Sequence, residues 1–245
     1  MQSVDAVMET PVHTPTRFRP WGMFATVAAV TAAIISYYLA GVHWFGSPLS
    51  LKAHLGFSAM LAFVVVGVYQ VYFWVQQNDH FARRHSLRIA LDSHIPFVPH
   101  WVWVYGILYY FMIGFVIATL KSVEEGVAMV FGGLILMGAQ VLCFLAFPVR
   151  TPVEYRQYPI KTLAGRFLRF MQRFDGRSNC FPSAHCSVSM YVSLLLLPHL
   201  GPASLLFAAG IAVSSLLCKQ QLLADVPVGL FLGWSAWMVT ATYLV

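Results

Sequence analysis

Two short segments near the C-terminal end of the chain carry residue types that together suit phosphate-ester chemistry. The first, Asn179–His185, reads Asn-Cys-Phe-Pro-Ser-Ala-His and supplies a hydroxyl and an imidazole. The second contains Lys219, Gln221 and Asp225. A hydroxyl and an ammonium can bind phosphoryl oxygens, and an imidazole can protonate a leaving oxygen. We therefore take the two segments as the parts of a candidate phosphate site.

The first segment stands where a polar loop turns into an apolar helix. Pro182 has no N–H to donate and suits the first turn of a helix. The free N–H groups and the positive dipole end of that helix suit an anion. Ser183 can add a hydroxyl donor, and His185 can act as a proton donor. Taken alone, these residues are better explained as a capping serine and an interfacial histidine.

The second segment has the spacing of a nucleophile and its orienting acid, but not the nucleophile. Gln221 and Asp225 are four residues apart and face the same way on a helix. A histidine at position 221 would be held by Asp225 as a nucleophile, with Lys219 neutralising phosphate oxygens. A glutamine amide nitrogen has no available lone pair, so Gln221 can hydrogen-bond a phosphate or Asp225 but cannot form a phospho-enzyme.

A third group of residues precedes these two segments. The stretch Phe147–Arg156 contains two prolines, which stiffen it, and two arginines. Arg150 and Arg156 can each hold phosphate oxygens in a bidentate manner. Ordinary arginines on the cytoplasmic side of a membrane explain the same pattern about equally well.

The composition identifies an integral membrane protein. Hydrophobic residues make up 59% of the 245-residue chain and charged residues 10%, with a mean hydropathy of +0.70, whereas soluble domains carry about 25% charged residues. The four cysteines form no CxxC pair and are expected to be free thiols. The nine histidines show no ligand spacing, so we expect no metal. The lipid bilayer is the expected surrounding, and no nucleic acid partner is expected.

Apolar runs of roughly 20 residues predict spanning helices. We predict a loose tail over residues 1–20 and a single membrane domain over residues 21–245. The predicted fold is an all-α, polytopic transmembrane helix bundle, with a tight turn at residues 198–202. Seven spans are predicted, at about 21–41, 54–75, 100–119, 127–147, 185–200, 203–218 and 226–245.

The distribution of lysine and arginine predicts the orientation of the bundle. Seven crossings put residues 76–99, 148–184 and 219–225 on the same side as the N-terminus, and this side holds most of the cations. The positive-inside rule places it in the cytoplasm of a plasma or inner membrane. If the cations of residues 148–225 are left out, this side still has five cations and the other side two. The five are Arg17, Arg19, Arg83, Arg84 and Arg88, and the two are Lys52 and Lys121. A single re-entrant helix would reverse this orientation.

One segment on that side is amphipathic. From Lys161 to Phe174, apolar residues recur at helical spacing, and arginines flank them. This pattern indicates an interfacial amphipathic helix whose arginines meet anionic head groups. A helix packed on the bundle with solvated arginines is nearly as good an interpretation.

Taken together, the three groups resemble the motifs of the type-2 phosphatidic acid phosphatase superfamily, in particular its inositol-phosphotransferase-like branch. Asn179–His185 is similar to the family's Pro-Ser-x-His motif. Lys219–Asp225 is similar to its Lys-Gln-His-x3-Asp motif, except at Gln221. Asp92–Phe97, which reads Asp-Ser-His-Ile-Pro-Phe, also resembles this branch. The resemblance covers residues 90–245, and Arg150 and Arg156 fit the first motif loosely.

The resemblance implies a six-helix phosphatase core with one extra N-terminal span. His185 would be the general acid, position 221 the nucleophile and Asp225 its orienter. No metal or other cofactor would be needed, and the substrate would be a phospholipid or isoprenoid phosphate, either hydrolysed or used to transfer a head group. The residues expected to bind phosphate are Arg150, Arg156, Asn179, Ser183 and Lys219.

The departure at Gln221 leaves several interpretations open. The glutamine is either native, in a binding or regulatory relative that has lost catalysis, or an engineered block. A lipid phosphatase or phosphotransferase with impaired turnover and a non-catalytic lipid-binding or scaffolding protein both fit. A transporter has little support because the spans lack paired intramembrane charges. The sequence does not identify the lipid, the acceptor or the oligomeric state.

Overall fold

The computed structural model describes residues 20–78 and 82–243, so all but the last residue of the predicted loose tail lies outside the described residues. Within them the regular structure is helical, and the expectation of an all-α bundle is confirmed. Pro20 is the first residue of α1 rather than part of a tail. The helices are α1 Pro20–Phe45, α2 Leu51–Gln77, α3 Tyr109–Ala118, α4 Val123–Ala146, α5 Leu163–Gln172, α6 Ala184–Leu195, α7 Leu197–Leu200, α8 Leu205–Leu217 and α9 Asp225–Tyr243.

Among the residues that the structure describes, five helical stretches are long and apolar enough to cross a membrane: residues 21–44, 51–77, 99–118, 123–146 and 197–217. They correspond to five of the seven predicted spans. The other two predicted spans correspond to α6 and α9, which are not among these five stretches. Helix α6 has only 12 residues, and α9 begins with an aspartate and contains serine and threonine. The seven crossings and the six-helix core therefore remain predictions.

Side-chain caps fix where several of these helices begin. The hydroxyl oxygens of Ser50, Ser122 and Thr162 accept hydrogen bonds from backbone N–H groups in the first turns of α2, α4 and α5. Ser183 caps α6 in the same way. Each such cap contributes about 1 kcal/mol because it satisfies an N–H group that has no partner inside the helix.

The connection between α6 and α8 is helical and differs from the tight turn predicted at residues 198–202. The short helix α7 ends at Leu200. Gly201 follows it with a φ of 59°, in the left-handed region that glycine adopts without strain. A 3-10 turn, Gly201–Ser204, then leads into α8. This connection allows α6 and α8 to pack against each other.

The amphipathic segment is a helix, as predicted, but a shorter one. α5 runs from Leu163 to Gln172. Ala164 and Leu168 pack into a buried cluster with Val102, Tyr105 and Cys218. Leu163 is 70% exposed and Phe170 is 41% exposed. The helix therefore packs on the bundle and also presents apolar side chains outward, and its place in a membrane interface remains a prediction.

Helices α6 and α9 are in closest contact because small residues face each other. A Cβ atom added at Gly233 would lie 2.1 Å from the backbone oxygen of Ser187, and one added at Gly229 would lie 2.6 Å from that of Ser183. Small residues permit this backbone approach, which is a common basis of helix association in membranes. The contact matters for the candidate site because Ser183 begins α6 and Asp225 begins α9.

Replacing Gly233 should separate these two helices. We expect Gly233→Ala to lower the stability of the purified, detergent-solubilised protein by about 1–3 kcal/mol, since the added methyl group meets backbone and not a flexible side chain. Thermal unfolding followed by circular dichroism measures the change.

The matched control is Gly138→Ala in α4, where an added Cβ atom would meet nothing within 4 Å. This variant should be neutral or slightly stabilised. Equal midpoints for the two variants would contradict the close packing of α6 against α9.

Candidate functional site

The two segments singled out in the sequence lie in direct contact. The backbone N–H of Ser183 donates to the backbone oxygen of Asp225 at 3.2 Å. The Gln221 side-chain nitrogen donates to the backbone oxygen of Cys180 at 2.8 Å. The N-terminal ends of α6 and α9 therefore form one junction, as the sequence pattern predicts.

The third group of residues joins the same junction through short extended segments. Val149 forms a parallel bridge with His85 on one side, and its oxygen accepts from the N–H of Cys180 on the other at 3.4 Å. Thr151 donates its N–H to the oxygen of Arg177 at 3.0 Å. The arginine-containing stretch after α4 thus runs beside the chain that leads into α6.

An apolar cluster, which we call the junction cluster, fills the space between the three groups. Each of the three groups contributes a fully buried side chain to it. Because these side chains come from distant parts of the chain, their burial helps to hold the groups together. The buried members are Val149, Cys180 and Leu222, and Leu87, Phe147, Tyr155 and Phe181 pack against them.

Gln221 and Asp225 form a hydrogen-bonded pair. Because the carbonyl of Cys180 can only accept, the Gln221 nitrogen must be the atom that faces it, and the same nitrogen donates to Asp225 Oδ2 at 3.1 Å. Asp225 Oδ2 also accepts the N–H of Leu222 at 2.7 Å. Gln221 thus engages one oxygen of the Asp225 carboxylate. Asp225 Oδ1 is buried with no hydrogen-bond partner among the described residues.

The ring of His185 packs against two tyrosines, and one of its two nitrogens has no hydrogen-bond partner among the described residues. A hydrogen bond of 3.2 Å joins its Nδ1 to the hydroxyl of Tyr105. Its ring stacks on Tyr105 with centroids 4.1 Å apart, and Tyr109 lies against it at 4.5 Å. Nε2 is buried and has no partner among the described residues. Since Tyr105 engages Nδ1, Nε2 is the ring nitrogen left without a partner in the part of the chain that the structure describes.

The position of Tyr105 depends on an irregular helical turn. Residues Trp103–Leu108 form a π-helical turn within the third membrane-length stretch. Such turns insert an extra residue and are frequent at functional sites. Here the turn precedes α3 and contains Tyr105, whose hydroxyl reaches His185.

Lys219 is held close to the junction by its neighbours. Its backbone has a φ of 54°, an uncommon conformation for a residue with a side chain. Its ammonium donates to the backbone oxygen of Asp92 at 2.7 Å and lies 4.9 Å from the ring centroid of Tyr155. Partial burial lowers the pKa of Lys219, while Asp92 acts in the opposite direction. An ammonium carries three N–H donors, so Lys219 can also bind an anion.

The two arginines differ in their surroundings. The guanidinium of Arg156 forms an ion pair with Asp175 at 2.7 Å and donates to the backbone oxygens of Gln172, at 3.0 Å, and Asp175. It therefore fastens the end of α5 to the 153–156 turn. Arg150 is half-buried beside Val149. The roles of both arginines as phosphate ligands remain predictions.

Asn179 acts as a link to α2. It is 4% exposed, and its side-chain nitrogen donates to the backbone oxygen of Tyr72 at 3.1 Å. Its φ of 61° is one that asparagine tolerates better than most residues. This places the amide in a structural contact, and its role in phosphate binding also remains a prediction.

Sequence reasoning did not assign a role to Asp92, which supports the Lys219–Asp225 segment. Asp92 is 1% exposed. One carboxylate oxygen accepts the N–H of Leu223 and the other the N–H of Ile89, both at 2.8 Å. The Asp-x-x-Ile-Pro-Phe pattern marked this residue, but nothing local shows that its partner is Leu223.

Gln140 supports the Asn179–His185 segment, as Asp92 supports the Lys219–Asp225 segment. It is fully buried in α4, donates to the backbone oxygen of Pro182 and accepts from the Ser187 hydroxyl at 3.0 Å. A polar side chain inside an apolar span is costly unless it has partners. Its position in an otherwise apolar helix was the signal that could have identified it.

The site as a whole offers donors suited to an anion. Lys219, the Nε2 of His185 and the hydroxyl of Ser183 lie in or beside the two segments in contact, and α6 begins there. Within the two described ranges, no group of three or more His, Cys, Asp and Glu side chains is arranged to hold a metal ion. An ammonium, an imidazole N–H and a hydroxyl are groups that donate to phosphate oxygens, and proton transfer from His185 remains a prediction.

None of the family models, curated proteins or solved structures compared with the chain matches it. The resemblance to the phosphatidic acid phosphatases therefore depends on the sequence motifs alone and remains a prediction.

Removing the Asp92 carboxylate should release the Lys219–Asp225 segment. In Asp92→Ala the buried N–H groups of Leu223 and Ile89 lose their acceptors, which costs about 1–3 kcal/mol for each unsatisfied group. We expect hydrogen exchange at the Leu223 amide to accelerate at least tenfold.

Asp175→Ala is the control, since it removes a different carboxylate, which is partly buried, but leaves the acceptor of Leu223 in place. Its Leu223 amide should stay protected. Unchanged protection of Leu223 in Asp92→Ala would contradict the role assigned to Asp92.

Proposed function

We propose that the chain is a multi-pass membrane protein that binds the phosphate group of a lipid in a site like that of the type-2 phosphatidic acid phosphatases. In this site Gln221 replaces the nucleophilic histidine, so the phospho-enzyme step is lost. The observation that carries the proposal is the junction itself, where the Ser183–His185 turn meets the Lys219–Asp225 turn.

Three features support phosphate as the bound group. The cation of Lys219 and the N-terminal end of α6 both favour a negative charge. His185 has a buried Nε2 atom with no protein partner in the described residues, and such an atom is costly unless a ligand or water satisfies it. Bilayer-length helices adjoin the junction, which favours a lipid as the carrier of the phosphate. A phospholipid and an isoprenoid phosphate both meet these requirements.

The geometry around Gln221 supports the loss of catalysis. Its amide nitrogen is engaged by Asp225 and by the backbone oxygen of Cys180, and it has no lone pair with which to attack phosphorus. A histidine at this position could donate one ring N–H to Asp225 and present its other nitrogen as a nucleophile. His185 would then protonate the leaving oxygen. Hydrolysis and head-group transfer share these steps.

The membrane orientation is part of the proposal. The cations near the junction, together with those of the N-terminal region and of residues 76–99, favour the cytoplasmic side by the positive-inside rule. The protein would then bind lipid phosphate in the inner leaflet of a plasma or inner membrane.

A non-catalytic lipid-binding or scaffolding protein is the second candidate. The observation that favours it is that Gln221 itself donates to Asp225 Oδ2, so the junction forms without a nucleophile. This candidate differs in one outcome: restoring a histidine would bring no turnover.

The substitution Gln221→His distinguishes the two candidates. On the proposed function, this variant should release phosphate from phosphatidate at least tenfold faster than the wild-type protein, since it regains a nucleophile oriented by Asp225. Released inorganic phosphate, measured with purified protein in mixed micelles, gives the rate. Adding His185→Ala should abolish the gain.

Gln220→His is the matched control because Gln220 is also buried but donates to the backbone oxygen of Cys218 and not to Asp225. It should gain no activity. Strong phosphate release by the wild-type protein that survives His185→Ala would remove the proposed mechanism. No gain in Gln221→His would favour the scaffolding protein.

A further inference from the structure

We infer that the hydroxyl of Tyr155 is a further ligand-contacting group of this site, donating a hydrogen bond to an oxygen of the bound phosphate. This inference depends on the proposed function and deepens it. Tyr155 lies on the 153–156 turn after α4, and none of the sequence motifs marked it as a site residue.

The hydroxyl of Tyr155 is buried and has no hydrogen-bond partner among the described residues. A buried hydroxyl without a partner costs about 1–3 kcal/mol. The ring alone would fill its place in the junction cluster, beside Cys180 and Leu222, and a phenylalanine would do so without that cost. A missing acceptor, supplied by a ligand, explains why the polar atom is there.

The surroundings of Tyr155 place this hydroxyl within the candidate site. The ammonium of Lys219 lies over its ring, and Tyr155 is within electrostatic range of Asp92, Arg88 and Asp225. Tyr155 thus contacts the cation expected to bind phosphate, and its ring packs against residues of both motif segments.

The protonation state of Tyr155 suits a donor. Burial raises the pKa of Tyr155, and the nearby carboxylate of Asp92 raises it further, whereas Arg88 lowers it. The phenol therefore keeps its proton at neutral pH. A neutral O–H beside a lysine ammonium can donate to a phosphate oxygen while the lysine balances the charge.

The ligand chemistry is that of a phosphate group, which a lipid head group or free inorganic phosphate could supply. The test therefore uses three probes with the full-length protein in detergent micelles: dioctanoyl phosphatidate, dioctanoylglycerol and inorganic phosphate. Dioctanoylglycerol has the same tails as the phosphatidate but no phosphate. Isothermal titration calorimetry gives each affinity.

We expect Tyr155→Phe to weaken phosphatidate binding about tenfold and to leave any binding of dioctanoylglycerol unchanged. In the ligand-free protein, the same variant should unfold at an equal or higher temperature, because it removes a polar atom that has no partner. Weaker binding together with undiminished stability is a result that a purely structural tyrosine would not give.

Tyr158→Phe is the matched control. The hydroxyl of Tyr158 donates to Gln172 Oε1 at 3.0 Å, so its removal should lower the unfolding temperature and leave phosphatidate affinity within twofold.

The outcomes separate the inference from the proposed function. If the wild-type protein binds phosphatidate and Tyr155→Phe binds it equally well, the inference is overturned and the proposed function stands. If the wild-type protein binds neither phosphatidate nor inorganic phosphate, both are overturned. If inorganic phosphate binds with the same dependence on Tyr155, the hydroxyl recognises the phosphate group itself and the lipid tails are not required.

Discussion

The candidate site depends on a buried polar junction between two helix N-termini. The Gln221 amide joins the Cys180 backbone to the Asp225 carboxylate, and the backbone of Ser183 joins that of Asp225. Each buried polar group that loses its partner costs about 1–3 kcal/mol, so these contacts define one arrangement of the two segments. Asp92 and Gln140 fix the junction from outside, and the close packing of α6 against α9 holds the helices that carry it.

The sequence predicts the helices from local apolar patterns, whereas the contact between the two motif segments was expected only from the resemblance to the phosphatase family. Apolar runs of bilayer length identify the long helices, and the serine that precedes α6 is a strong N-cap signal. Gln221 does lie against the Asp225 carboxylate, but the expected shared helix face is wrong, since residues 218–224 form a turn between α8 and α9. The predictions were less accurate for the ends of α5 and for the connection at residues 196–204. In that connection, proline and glycine permit a short helix as readily as a turn.

The supporting residues could not be predicted because their partners are far away in the chain. Asp92 and Leu223 are 131 residues apart, and Tyr105 and His185 are 80 apart. No local pattern shows that a carboxylate accepts a particular N–H group or that a π-helical turn brings a tyrosine to a histidine. Arg156 is a case in which the local sequence suggested a role that the structure does not display. The surrounding motif suggests a phosphate ligand, while its guanidinium forms an ion pair with Asp175.

The central claim is that Lys219 and the two helix ends around it bind a phosphate group. The most direct measurement compares the affinity of wild-type protein and Lys219→Ala for dioctanoyl phosphatidate, with Lys121→Ala as a control on the opposite predicted side of the membrane. The account predicts at least a tenfold loss for Lys219→Ala, about 1.4 kcal/mol, and no change for Lys121→Ala. Equal affinity in all three proteins would contradict it.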